Sequence, residues 1–341
     1  MSISQLEIAR LVGVSRTAVS HVLNGRTHMV GPAVRARILE AVEVNGYHRN
    51  ALVKAMKANR TRVIGIVVPE LKVSFFSEVV RAIEREARAN GLQCFLCQSH
   101  SLPEDLEKDV NILREYRVDG LLIAPASSTA YQSVYNRLVQ QKFPLVLLDT
   151  TVEGVESAFV GSQNAAIGRI ATRHLLELGH RRIACFRGYP GRCAEQRYDG
   201  YRHELRKAGI PLDPDLVVGG NYTFESGSEG VLTLLKKRTK FTALVAAADY
   251  VALGAIQELA RNGLRVPEDI SVVGCANLDV SEMVNPPLTT VDQKPQEIGE
   301  LAVKLLIRQI EEGCKTLEQI KVNPRLVVRE TSARLSVSSS S

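Results

Sequence analysis

Arg16, Thr17, Ser20 and His21 are interleaved with Val19 and Val22 in the stretch Ser15-Arg-Thr-Ala-Val-Ser-His-Val-Leu23. Helical spacing sends the two valines to one face and the four polar residues to the other. A guanidinium donates two hydrogen bonds to a guanine edge, threonine meets a thymine methyl or a polar edge, and imidazole reaches a base or a phosphate. Arg16, Thr17 and His21 are therefore the candidates for reading bases, with Ser15, Ser20 and Arg26 as phosphate contacts. Such a row offers itself to the major groove of double-stranded DNA. Catalytic patterns are missing by comparison. The sequence has no Gly-x-Gly-x-x-Gly after a strand, no phosphate-binding loop, no Gly-x-Ser-x-Gly elbow and no histidine group at metal-ligand spacing. The expectation is a non-enzyme with no cofactor and no metal, in which His174, His180 and His203 are solvated residues on helix ends or faces.

The elements that must carry the polar row are short helices. Leu6, Ile8, Ala9 and Leu11 form one apolar face, Val14, Val19, Val22 and Leu23 a second, and Val34, Ile38, Leu39 and Val42 a third. Gly13 and Asn24-Gly25 break the pattern between them, and Ser15 suits the N-cap of the second helix. From Arg62 onward the texture changes to apolar runs of strand length, Val63–Val68, Leu92–Leu96, Gly120–Ala124, Leu145–Leu148, Ile183–Phe186, Ala243–Ala247 and Ser271–Cys275. Amphipathic segments such as Ser77–Ala89, Asp105–Glu115, Ala165–Glu177, Tyr198–Lys207 and Val251–Asn262 separate them. This alternation predicts parallel sheets covered by helices on both faces, in two subdomains with a cleft between them. Cys94 and Cys97 form a C-x-x-C inside an apolar run, where strand pleating points them to opposite faces as ordinary strand residues. The Ser-rich end after Arg334 reads as a disordered tail.

Charge is distributed unevenly. Residues 1–62 hold ten lysines and arginines against three glutamates, while the whole chain carries only +6. A cationic head on a nearly neutral body predicts a polyanion partner at one end. No apolar run approaches the length of a membrane span and nothing resembles an export signal, so the expected location is the cytoplasm and no membrane partner is expected. Six scattered cysteines fit a reducing compartment.

The pattern Ala9-x-x-x-Gly13-Val14-Ser15-x-x-x-Val19-Ser20-x-Val22-Leu23-Asn24, continued by Gly46-Tyr47 and by Asn50-x-x-Val53-x-x-Met56-Lys57, resembles the head of the lactose-repressor (LacI/GalR) family, and the likeness runs through the core to about residue 331. The resemblance implies a helix-turn-helix domain over 1–48 and a hinge helix over 49–61. An effector-binding and dimerising core follows over 62–334, of periplasmic-binding-protein type with two Rossmann-like subdomains, and a tail over 335–341. The first subdomain is expected to span about 62–162 and 292–322, and the second about 163–291 and 323–334. In that family a hinge residue wedges into the minor groove at the centre of a palindromic operator. Met56 holds the wedge position, with packing on the core as its other reading, and Lys57 and Asn50 are carried over as DNA contacts.

The same resemblance places Phe75, Phe76, Gln163, Cys193, Arg197, Tyr222, Asp249 and Ala276 around an effector cleft. Phe75 and Phe76 fit core packing as well, and Asp249 fits a helix N-cap equally. Two acids of the family pattern are replaced here, by Gln163 and Ala276, which weakens a neutral-sugar reading and leaves room for an anionic metabolite. The implied protein is a homodimeric, DNA-binding transcriptional regulator answering to a small effector, a sugar, a sugar derivative or an anion. A solute carrier for transport and a regulator controlled by a protein corepressor are the other readings the core permits.

Overall fold

The computed structural model describes residues 3–47, 60–71, 74–100, 102–125, 132–189, 191–314 and 317–335. It divides into two compact units, Met1–Thr61 and Arg62–Ser341.

In the first unit, α1 (Gln5–Val12), α2 (Arg16–Leu23) and α3 (Pro32–Val44) close one small core of Ile8, Ala9, Val12, Val19, Val22 and Ile38. A reciprocal cap starts α1: Ser4 Oγ accepts from the Glu7 amide, and the Glu7 carboxylate accepts from the Ser4 amide. Gly13, at φ +69°, ends α1 in the left-handed conformation that glycine adopts without strain. The apolar faces differ from the expected ones at three leucines. Leu6, Leu11 and Leu39 are exposed, and Val12 fills the interior in their place. Three short helices enclose too narrow a core to take every apolar residue of each turn.

Among its described residues the second unit contains two six-stranded sheets. The first sheet is built from β1 (Val63–Val68), β2 (Gln93–Gln98), β3 (Gly120–Ile123), β4 (Leu145–Leu148), β5 (Ala158–Ser162) and β11 (Gln319–Val322), in the order β11-β5-β4-β3-β1-β2 and parallel throughout. The second uses β6 (Ile183–Phe186), β7 (Val217–Val218), β8 (Ala243–Ala246), β9 (Ser271–Ala276), β10 (Thr289–Asp292) and β12 (Arg325–Val327), in the order β12-β10-β9-β8-β6-β7, with only β12 antiparallel. Helices bury both faces of each sheet, which is why β1, β3, β4 and β6 are continuous apolar runs. On β2, Cys94 packs toward the Ile64 and Ile66 face and Cys97 toward the Val67 and Leu106 face, so the pair points apart. Burial pushes both thiols up to about 11.

Around the first sheet lie α4 (Ser74–Ala89), α5 (Pro103–Glu115), α6 (Gln132–Gln140) and the long α12 (Pro295–Glu312). Around the second lie α7 (Asn164–Glu177), α8 (Arg192–Lys207), α9 (Phe224–Lys236), α10 (Asp249–Arg261) and the short α11 (Val280–Met283). Helices α7 and α8 cross at backbone contact: a Cβ at Gly168 would lie 1.9 Å from the Arg197 carbonyl oxygen. That approach fixes where α8 presents its first two turns. Among the described residues no helix is long and apolar enough to cross a membrane.

Candidate functional site

Two separate surfaces collect the candidate residues. On the head, Ser15 caps α2 by accepting from the Ala18 amide at 3.1 Å, which aligns the first turn behind it. Val19 and Val22 are buried beneath α2, whereas Ser15, Arg16 and Thr17 are exposed and Ser20 and His21 are half-buried on its outer side. Ser20 Oγ accepts from Asn24 Nδ2 at 3.2 Å, which holds the end of the helix. Arg26 is exposed just beyond it. Arg37 is spent on structure, donating to the Val12 carbonyl at 2.6 Å. Asn50, Met56 and Lys57, with the rest of the expected hinge helix, lie outside the described residues.

The second surface lies at the carboxyl ends of the core strands, where parallel sheets place ligand sites. Its centre is Arg197. Nε donates to Asn164 Oδ1 at 2.8 Å, Nη1 to the Ala247 carbonyl at 2.8 Å and Nη2 to Gln293 Oε1 at 2.9 Å. Asn164 passes the network on, its Nδ2 donating to Cys193 Sγ at 3.3 Å. Gln293 Nε2 contacts Cys275 Sγ at 3.4 Å. Burial holds the Cys275 thiol up at about 11 and raises that of Cys193 as well, so both sit as neutral thiols. Tyr222 is half-buried, and burial pushes its hydroxyl up to about 12 against the pull of Arg197. Its ring lies on the backbone of Gly188, where a Cβ would fall 2.1 Å from the ring.

Asp149, directly after β4, was not singled out from the sequence. Its Oδ2 faces Cys193, and its Oδ1 is shielded from solvent without a hydrogen-bond partner among the described residues. Burial raises its pKa, and the charge of Arg197 opposes the rise. The backbone is held at φ +64° at Asp149, +137° at Ala276 and +57° at Asn277. Strained residues that cluster at strand ends mark sites where the surrounding fold over-determines the backbone. The sequence did carry one signal for Asp149: an acid immediately following a buried parallel strand.

Other expected cleft residues are placed differently. The Asp249 carboxylate is buried and fully engaged. Oδ1 accepts from Thr290 Oγ1 at 2.5 Å, and Oδ2 accepts from the Leu278 amide at 2.8 Å and Ser281 Oγ at 2.9 Å. It therefore ties down the segment after β9 and leaves no oxygen facing a ligand. It does not cap a helix either, since it is the first residue of α10 and Ala248 is the cap position. Phe75 is buried in the first-sheet core and Phe76 is half-buried against it, their rings edge to face at 5.3 Å. Gln163 donates to Asn323 Oδ1 at 2.6 Å, which links two chain crossings between the sheets. Ala276 is buried and apolar. His180 also departs from expectation: it is buried, not solvated, bonded to Thr242 and to the Ala333 carbonyl. Among the described residues no group of three or more His, Cys, Asp or Glu side chains is arranged to hold a metal ion.

Residues 6–50 match the family model "Bacterial regulatory proteins, lacI family", and residues 172–332 match "Periplasmic binding protein-like domain". Among curated relatives, the HTH-type transcriptional repressor PurR of Histophilus somni is 32% identical over 327 residues, covering 95% of this chain and 97% of that protein. PurR of Aliivibrio salmonicida is 33% identical over 333 residues, with coverage of 96% and 98%. Among solved structures, a transcriptional regulator CelR–cellobiose complex aligns with a TM-score of 0.74 at 30% identity, covering 97% of this chain and all of that one. The lac repressor dimer bound to operator and the anti-inducer ONPF aligns with a TM-score of 0.87 at 25% identity, covering 98% of this chain and all of that one.

Proposed function

The chain belongs to the LacI family of bacterial regulatory proteins, and from that premise we propose how its own residues divide the work of a DNA-binding repressor controlled by an effector. It is a transcription regulator, not an enzyme. The observation that carries the proposal is the outward row on α2: Arg16 and Thr17 exposed, Ser20 and His21 beside them, over the sealed valines. Arg16 reads a guanine edge and Thr17 and His21 read neighbouring positions. Ser15, Ser20 and Arg26 hold phosphates, Asn50 contacts the DNA, and Met56 and Lys57 act in the minor groove.

One head touches few base pairs, so two heads act on a symmetric site. Pairing through the β2 edge is supported by the exposure of Phe95 and Leu96, each 41%, with the Phe95 ring edge to face on Tyr116. The place of action is the cytoplasm, where the DNA lies.

The effector binds among Asp149 at the end of β4, Cys193 and Arg197 on the first turns of α8, and Tyr222 just before α9. Three protein oxygens already surround Arg197, whereas Asp149 Oδ1 waits for a donor. The reading is therefore an uncharged ligand with hydroxyl or N–H donors, in place of the anionic preference that the two missing acids suggested. It shifts DNA affinity by binding one cleft geometry more tightly than another.

Selection from a randomised duplex pool tests the head. The native dimer is expected to enrich a palindrome and Arg16→Ala to lose preference at one position of each half-site; enrichment of nothing overturns the assignment. Calorimetry with cellobiose and with a phosphorylated sugar tests the cleft, where tighter binding of the phosphorylated compound overturns the uncharged-ligand reading.

A further inference from the structure

The near-neutral charge of the core is the sum of opposed regions. At the amino-terminal edge of the second sheet, opposite the strand ends that form the cleft, three segments come together: residues 178–182, 206–216 and 236–242. Together they carry eight lysines and arginines against two aspartates. Their proximity is fixed by bonds. Arg182 Nε donates to the Lys240 carbonyl at 2.5 Å, the Thr242 amide donates to the Arg182 carbonyl at 2.9 Å, Arg182 pairs with Asp213 at 3.0 Å and Lys237 pairs with Asp215 at 3.1 Å. Both aspartates are thereby used, while Arg181, Lys236, Arg238 and Lys240 stand exposed around them. Parallel topology is the reason for the gathering. Helices α8 and α9 return to this edge, so their basic ends, Arg206-Lys207 in the last turn of α8 and Lys236 with the C-cap Lys237 on α9, lie beside the entries to β6 and β8.

We propose that this edge is a second, sequence-independent contact surface for the phosphate backbone of duplex DNA, distinct from the head. Protein partners are recognised through aromatic and aliphatic anchors with lysine depleted, whereas in these three segments Leu212 is the one large apolar side chain exposed, among eight lysines and arginines. Phe241 and His180 are buried, so no aromatic side chain of the three segments is exposed. Without aromatic platforms the surface does not suit unstacked single strands. Exposed ammonium and guanidinium groups along a sheet edge suit the repeating charge of a duplex, which they engage by releasing counterions.

The test uses the full-length protein and a 60-bp duplex without operator, titrated across salt concentrations. Each phosphate contact contributes about 0.9 to the slope of log K against log salt. The triple substitution Lys236→Gln, Arg238→Gln, Lys240→Gln is expected to lower that slope by about 2 to 3 and to leave operator preference unchanged. Arg16→Ala should lose preference while keeping this part of the slope, so failure here is separable from failure of the head assignment. On the native protein, the duplex is expected to protect Lys236 and Lys240 from acetylation. An unchanged slope together with equal acetylation with and without duplex overturns the proposal and transfers the patch to an acidic protein surface.

Discussion

The Cys193 thiol lies 3.6 Å from Asp149 Oδ2 and 3.7 Å from the Asp149 carbonyl oxygen, so the two halves of the core meet at a thiol–carboxylate contact. One residue follows a strand of the first sheet and the other opens a helix over the second. The contact engages one carboxylate oxygen and leaves the other buried without a hydrogen-bond partner among the described residues.

That arrangement makes Asp149→Asn informative. Asparagine tolerates the φ of +64° at this position and nearly keeps the shape, but it removes the buried charge. Because burial raises the Asp149 pKa, the native core is stabilised as pH falls through the folded value toward the ordinary carboxylate value, and destabilised above it. Thermal melts between pH 4 and 8 should show this slope in the native protein and a flatter one in the variant. Effector affinity should fall about tenfold, as expected for one lost hydrogen bond to a charged acceptor.

Gly188→Ala should separate the aromatic wall from the rest of the cleft. The new methyl would fall 2.1 Å from the Tyr222 ring, which must move. Overpacking of this kind costs about 1–3 kcal/mol. The expected outcome is a folded dimer with a lowered melting temperature, effector binding lost and DNA binding retained, measured by calorimetry and anisotropy.

Asp249→Ala should behave as a structural lesion. Two hydroxyls and one amide lose their acceptor, at a cost of about 3 kcal/mol. Denaturant midpoints should drop accordingly, while at low temperature the remaining folded protein keeps its effector affinity. A normal midpoint with selective loss of effector binding would return Asp249 to the ligand site.

His180 couples the carboxyl-terminal segment to pH. Burial lowers its pKa, so the folded state favours the neutral ring. Below about pH 6.5 the unfolded state takes up the proton more readily, and stability falls as pH drops toward the folded value. Amide protection at residues 331–335, taken relative to the intrinsic exchange rate at each pH, should fall between pH 7.5 and 5.5, and His180→Gln should suppress the change.

Much of the scaffold was readable because it depends on local periodicity. Strands β1, β4 and β6 begin and end where their apolar runs do, since strands buried on both faces need unbroken hydrophobicity. Strand β10 gave no such signal: Thr289 and Thr290 are fully buried, and their hydroxyls are satisfied by Arg329, Ser332 and Asp249 from distant parts of the chain. Strand β5, Ala158–Ser162, was not among the expected runs, since only three apolar residues precede Gly161 and Ser162.

The sequence by itself determined the outward polar row on α2 and the strand–helix alternation of the core, because valine spacing and apolar run length act over a few residues. Only the tertiary structure decided that Asp149 meets Cys193 with one oxygen unpartnered while Asp249 is spent inside the fold. It alone also gathered lysines and arginines from three separate segments onto one sheet edge. Burial, hydrogen-bond partners and local charge depend on residues tens to hundreds of positions apart, and no short stretch of sequence contains that information.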